Sequence, residues 1–178
     1  MLFSELKTIC NGEVLQQTAD VTLSGLCIDT RNISIHGSNH DGHQYLEEAY
    51  NQGIRLFVVE KEVVDLDGAS VLKVASSIEA MQCIASYHRS LFDYPVLGIT
   101  GSNGKTIVKE WLATLLNQSY QVVKSPKSYN SQVGVPLSVW QMSENDNLGI
   151  FEAGISNTGE MANLEKIIKP TIGIFTNI

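Results

Sequence analysis

From residue 95 onward, short apolar runs alternate with segments whose apolar residues recur every three to four positions. The runs at 96–100, near Val122, at 148–152 and at 172–176 read as buried strands. The segments between them, Lys105 to about Asn117, Val135 to Trp140 and 159–168, read as helices. This alternation predicts a parallel sheet covered by helices on both faces, with ligands gathering at the C-terminal ends of the strands. The earlier part is less regular. Ser4 to Cys10 predicts one or two helical turns closed by Asn11-Gly12, Val21 to Asp29 an extended stretch, and a loop then runs to Asp41-Gly42. Tyr45, Leu46, Ala49 and Tyr50 have helical spacing, and Gly53 stands where a left-handed C-terminal residue is wanted. Leu56 to Val59 and Val71 to Val74 read as strands, followed by a helix marked by Ile78, Met81, Ile84 and Ala85. Pro95 stops that helix, which places a domain boundary at Asp93-Tyr94-Pro95 and gives a small N-terminal α/β domain over 1–93 and a second α/β domain over 94–178.

Composition narrows the function classes. Twelve basic against 19 acidic residues give a net charge of -7, so there is no basic field for nucleic acid, and any phosphate must be captured locally. Met1 to Gly12 lacks the basic and apolar regions of a signal peptide, and no later stretch is long enough for a membrane helix; the expectation is a cytoplasmic chain with no membrane insertion. Cys10, Cys27 and Cys83 are odd in number, have no metal-like spacing and lie among apolar neighbours, which reads as buried reduced thiols.

Gly98-Ile99-Thr100-Gly101-Ser102-Asn103-Gly104-Lys105-Thr106 joins a predicted strand to a predicted helix, the context a phosphate-binding loop requires. Gly101 and Gly104 let the backbone turn its N–H groups inward, and the positive end of the following helix adds to that field. Lys105 is suited to the β- and γ-phosphates of ATP and the Thr106 hydroxyl to Mg²⁺. Ile99 replaces the first glycine of the strict G-x4-G-K-[ST] pattern, so the loop is a variant.

Glu152 ends a predicted buried strand near this loop, a place suited to holding a metal; a strand-end or capping glutamate is the competing reading. Asn130 either orients a sugar or peptide group or holds its own turn. His36, His40 and His43 lack the spacing of a fourth metal ligand, and Asp41 reads as a helix cap. Trp111 and Trp140, beside Leu112, Leu115 and Leu137, read as core, and Lys124 and Lys127 as solvated loop lysines.

Taken together these motifs resemble the Mur ligases, which build the peptide of bacterial cell-wall precursors. The segment Gly98 to Thr106 is similar to that family's ATP loop, which assigns Gly101, Ser102, Asn103, Gly104, Lys105, Thr106 and Ile107 to ATP. Asp29-Thr30-Arg31 with Asp41-Gly42-His43 resembles the uridine-nucleotide-binding region of the branch that adds D-alanyl-D-alanine to UDP-N-acetylmuramoyl-tripeptide. Tyr129-Asn130-Ser131-Gln132-Val133-Gly134-Val135-Pro136 is similar to that branch's asparagine-rich segment, and Glu152-Ala153-Gly154 takes the place of its Glu-Met-Gly. The resemblance implies a UDP-sugar-binding domain followed by part of a parallel-sheet P-loop ATPase domain. Thr30, Arg31, Asp41, Gly42, His43 and Asn130 would meet the substrates, with Lys105 and Glu152 catalytic and Thr106 and Glu152 on Mg²⁺. The implied reaction activates a carboxylate as an acyl phosphate for attack by the dipeptide amine, without a covalent enzyme intermediate. Glu152→Gln is then expected to abolish metal-dependent turnover and leave the fold intact.

The segment from Ser125 to Tyr129 and the run Glu152 to Ser156 look closest to the ligase half of proteins fused to an alanine racemase. Ser131 and Gln132 depart from the Asn-Glu usual in the family, and the stretch between Arg31 and Asp41 is shorter than usual. The family's later adenine-contacting groups and C-terminal domain have no counterpart before Ile178, so the chain is expected to be an N-terminal fragment, inactive alone. A folylpolyglutamate synthase shares the loop but should lack the uridine-binding front; a non-catalytic nucleotide-binding module of a fused racemase is the alternative from another class.

Overall fold

The computed structural model describes residues 1–26 and 42–177, arranged as two compact units, Met1–Ala80 and Met81–Ile178. The first unit opens with α1 (Phe3–Ile9), whose Phe3 and Leu6 are buried, and β1 (Glu13–Gln16). A short 3-10 turn over Gly42–Tyr45 runs into α2 (Leu46–Asn51), followed by β2 (Leu56–Val59) and β3 (Ser70–Lys73). The sheet order is β1-β3-β2, with β3 antiparallel to β1 and parallel to β2. Ala49, Phe57, Val59, Ala69 and Val71 form its core. Gly53 has φ +94, the left-handed conformation its place after the helix predicts.

Two features of this unit differ from the sequence reading. The reading assigns no strand to Glu13–Gln16, which has only two apolar residues and is recruited by backbone pairing to β3. Conversely, the described part of the predicted extended stretch, 21–26, makes only the isolated bridge Leu2↔Thr22. The alternation Val21-Thr22-Leu23-Ser24 is broken at Gly25, and the segment ties to the chain start through Phe3 N to Val21 O (2.9 Å) and Leu23 N to Met1 O (2.8 Å).

The second unit alternates strand and helix as the sequence predicts: β4 (Val96–Thr100), α4 (Lys105–Leu116), β5 (Val122–Lys124), α5 (Gly134–Val139), β6 (Leu148–Glu152), α6 (Glu160–Ile168) and β7 (Ile172–Phe175). All four strands are parallel, in the order β5-β6-β4-β7. Side-chain alternation divides the sheet into two apolar layers. Leu97, Ile99, Leu148 and Ile150 face α4 and pack with Ala113, while Val96, Phe151 and Ala153 pack with Val135, Val139, Leu164, Ile167 and Ile168 on the other face. By the same period of two, Glu152 falls on the α4 side with Leu148 and Ile150.

The two compact units divide within α3 (Ser77–Arg89), ahead of Asp93-Tyr94-Pro95. The second half of that helix is committed to the later unit: Ala85 is in its core, and Arg89 donates to the carbonyls of Ile168 (2.9 Å), Phe92 (2.5 Å) and Lys169 (3.2 Å). The cysteines also depart from the reading. Cys83 is exposed on α3, Cys10, just past the end of α1, is half-buried with its thiol 3.7 Å from the Ala80 carbonyl, and Cys27 lies outside the described residues. Trp111 is 68% exposed on α4 and Leu115 66%, since that helix buries its opposite face, around Lys109 and Ala113. Trp140 does pack, stacking on His88 with ring centroids 4.5 Å apart.

His88 also lies 5.1 Å from the Phe92 ring, and its Nε2 stands 2.9 Å from the Met142 carbonyl, a contact that requires a proton on Nε2. Burial holds its pKa below the ordinary 6.5. As the pH falls the unfolded chain takes up this proton first, so the stability tied to this ring is complete above 6.5 and is lost as the pH falls through the lower folded-state value. Urea midpoints measured on either side of 6.5 should fall more steeply for the wild type than for His88→Phe; parallel curves would remove the role.

Candidate nucleotide and metal site

β4 ends at Thr100 and α4 begins at Lys105, with Gly101 at φ +136 and Gly104 at φ +83 in the turn between them. Both values belong to glycine, and a Cβ on Gly101 would overlap the Thr176 hydroxyl and stand 2.8 Å from the Asn177 carbonyl oxygen. The loop is pinned from the end of β7. Asn103 N donates to Asn177 Oδ1 (2.8 Å), Ser102 Oγ to the same oxygen (2.9 Å), and Ser102 N to the Asn177 carbonyl (3.2 Å). Thr176 adds its backbone N–H to the Thr100 carbonyl (2.9 Å) and its hydroxyl to the Asn103 carbonyl. Lys105 Nζ lies 2.6 Å from the Gly101 carbonyl and 3.5 Å from that of Ser102, so the lysine head is already turned back over the loop.

Beside the loop sits Glu152, fully buried at the end of β6. Its backbone N–H donates to Ser125 Oγ (3.1 Å), which fixes the strand end against the turn after β5. Thr106 Oγ1 donates to Glu152 Oε2 (3.1 Å) and stands 3.2 Å from Ser128 Oγ. The other carboxylate oxygen, Oε1, forms a fully buried ion pair with Lys109 Nζ at 2.9 Å. A fully buried carboxylate with a threonine hydroxyl on one of its oxygens, at the mouth of a phosphate-type loop, is an all-oxygen donor set that suits a hard divalent cation. Thr106 and Glu152 therefore fit Mg²⁺.

The fold thus brings Gly101, Ser102, Asn103, Gly104, Lys105, Thr106 and Glu152 together as the spacing predicts. Ile107 shares the first turn of α4 but exposes its side chain, leaving only its backbone for a ligand. Asn130 reaches the same end of the sheet: its carbonyl accepts from Gly154 N (2.8 Å), and a Cβ on Gly154 would come within 2.9 Å of the Asn130 side chain. The departures at Ser131 and Gln132 are absorbed structurally. Ser131 Oγ accepts from Gly134 N at the start of α5 (3.1 Å), and Gln132 bonds Gln82 Nε2 through its carbonyl (3.1 Å) and its side-chain oxygen (3.2 Å). Lys124 pairs with Glu110 rather than standing free, and Lys127, at φ +50, lends its carbonyl to Lys109.

In the first unit, Thr30, Arg31, Asp41, His36 and His40 lie outside the described residues. Gly42 opens the 3-10 turn, and His43 Nε2 accepts from Glu60 N at 3.2 Å. Glu60 in turn caps α3, accepting from Ser77 N and Oγ at 2.7 Å each. Among the described residues no three His, Cys, Asp or Glu side chains cluster for a metal, and no helix is long and apolar enough to cross a membrane.

The sequence reading misses Lys109, Ser125, Thr176 and Asn177. Lys109 did leave a trace, since Thr106, Lys109, Ala113 and Leu116 follow the three-to-four spacing of a buried helical face on which a lysine is out of place. Thr176 and Asn177 left none, because nothing local announces that a strand end some 75 positions away will hold the loop.

Residues 99–178 match the Mur ligase middle domain. The UDP-N-acetylmuramoyl-tripeptide–D-alanyl-D-alanine ligase of Synechocystis sp. is 33% identical over 178 residues, covering 95% of this chain and 39% of that protein. The enzyme of the same name from Bacillus subtilis is 30% identical over 170 residues, covering 91% and 37%. Among solved structures, MurF from Acinetobacter baumannii superposes with a TM-score of 0.88 over 98% of this chain and 40% of its own, at 22% identity, a likeness of fold alone. MurF ligase from Thermotoga maritima, solved in complex with ADP, gives a TM-score of 0.72 at 31% identity over 81% of this chain and 33% of its own. This chain spans about two fifths of the length of the first of these relatives. Its parallel sheet, its glycine loop and its match to the middle domain agree with one another: the chain belongs to the Mur ligase family, with relatives of the D-alanyl-D-alanine-adding type.

Proposed function

We propose that this chain is the nucleotide-handling front of an ATP- and Mg²⁺-dependent cytoplasmic ligase that joins D-alanyl-D-alanine to UDP-N-acetylmuramoyl-tripeptide in peptidoglycan precursor synthesis. In this reading the N-terminal domain takes the UDP-sugar, through Thr30, Arg31, Asp41, Gly42 and His43, and the domain from about residue 94 takes ATP. The observation that carries it is the 3.1 Å contact of Thr106 with Glu152 beside the glycine loop, which sets a metal-binding pair against a phosphate cradle.

Mg²⁺, when bound, would neutralise the phosphoryl group as it leaves ATP for the substrate carboxylate. The chain's own share is positioning and charge. Lys105 exchanges the Gly101 carbonyl for phosphate oxygens, the pinned loop presents its N–H groups without reorganising, and Glu152 and Thr106 hold the cation. The resulting acyl phosphate is then open to the dipeptide amine, and Asn130, beside Gly154 at the strand ends, is suited to orienting a polar substrate group.

The test is ADP release by the full-length protein given UDP-N-acetylmuramoyl-tripeptide, with and without D-alanyl-D-alanine. Dipeptide-dependent release supports the ligase; nucleotide binding without release would favour a non-catalytic module, such as one attached to an alanine racemase. Lys105→Ala should weaken ATP roughly 10- to 100-fold, the loss of one charge-assisted contact, with little change in melting temperature. Unchanged ATP affinity would dismiss the lysine's role.

A further inference from the structure

Lys109 is a charged side chain with no accessible surface, three residues past the threonine of the loop and on the inward face of α4. Its ammonium donates to the Ser125 carbonyl at 2.8 Å and to the Lys127 carbonyl, and Glu110 Oε1 stands 3.2 Å from it. It also forms a fully buried ion pair with Glu152 Oε1 at 2.9 Å. An ammonium seated in this way does two things to Glu152. It holds the carboxylate so that Oε2 faces Thr106, and it supplies a full positive charge where a dication bound to that carboxylate would put two more. Charges a few ångströms apart inside protein interact far more strongly than in water, so without nucleotide the ammonium already offsets the Glu152 charge and weakens its hold on a bare dication.

We propose that Lys109 is a resident counter-cation that couples metal binding to nucleotide binding: Glu152 accepts a divalent cation only when nucleotide phosphates bring the negative charge that outweighs the ammonium. The proposal rests on the assignment of Thr106 and Glu152 as the metal-holding pair. Lys109 is a positioning residue in this scheme and touches neither substrate nor cation. The device keeps the phosphate loop from being loaded with a cation before ATP arrives, and it makes the metal–nucleotide complex the species the site selects.

The experiment is titration of the full chain with Mn²⁺, read by the loss of its free electron-paramagnetic signal, with and without ADP. The wild type should bind weakly alone and much more tightly with ADP. Lys109→Gln keeps amide donors for the Ser125 and Lys127 carbonyls and removes the charge. Its nucleotide-free Mn²⁺ affinity should rise at least about tenfold, and the cooperativity between ADP and Mn²⁺ should shrink by the same factor. Adding Glu152→Gln to that variant should erase the gain. Failure of Lys109→Gln to gain affinity overturns the proposal alone. So does a wild type that binds Mn²⁺ equally with and without ADP, a result that stands even if the variant does not fold. A wild type that binds ADP but takes up no Mn²⁺ with it overturns the metal assignment of Thr106 and Glu152, and this proposal with it.

Discussion

Glu152→Gln is expected to lower unfolding stability by about 3 kcal/mol in addition to removing metal-dependent turnover, because it leaves the buried Lys109 ammonium with only the half-exposed Glu110 carboxylate as counter-charge. From the sequence alone this substitution is expected to spare the fold. The difference lies in the neighbour: both side chains of the pair have no solvent exposure, and a half-broken buried pair costs more than one removed whole. Urea denaturation should therefore place Glu152→Gln well below the wild type, and the double variant Glu152→Gln, Lys109→Met between them, with neither regaining metal binding. A Glu152→Gln midpoint equal to that of the wild type would mean the pair carries no such weight.

Gly101→Ala should produce the second large loss. At φ +136 a side chain is strained in itself, and the added carbon would also overlap the Thr176 hydroxyl and crowd the Asn177 carbonyl. A backbone conflict of this kind costs on the order of 1–3 kcal/mol, and relief requires the loop to move off the end of β7. Since Ser102 and Asn103 are held only in that position, ATP affinity should fall with stability, at least about tenfold for each 1.4 kcal/mol of binding lost. Calorimetric titration with ATP beside a thermal melt measures both; full affinity in a destabilised variant would uncouple the pinning from binding. Gly104→Ala is the milder comparison, with its nearest contact 3.7 Å away.

The strand–helix rhythm after Pro95 was readable because each element carries its own period, and Lys105, Thr106 and Glu152 lie where those periods change. What the rhythm did not disclose is interaction between elements. Trp111 has the spacing of a core residue, yet α4 turns Lys109 and Ala113 inward instead, and only the position of β6 with its carboxylate explains why a lysine displaces an indole. β1 was illegible for a related reason, since four residues with two polar ends become a strand only beside β3. His43, proposed to meet the substrate, also accepts from the Glu60 backbone, whose side chain holds the start of α3, a contact that its motif does not announce.

The attachment of the glycine loop to Thr176 and Asn177 also bears on how the domain assembles. Loop and strand end lie 75 positions apart, with β5, α5, β6 and α6 between them. Closing so long a stretch of chain is slow and entropically costly, and it comes after the local helices and neighbouring strands have formed. β4 and α4 can therefore exist, joined and correctly twisted, while the turn between them still samples many shapes. If the loop takes ATP as proposed, its binding shape is expected to mature late in folding, when the last strand docks.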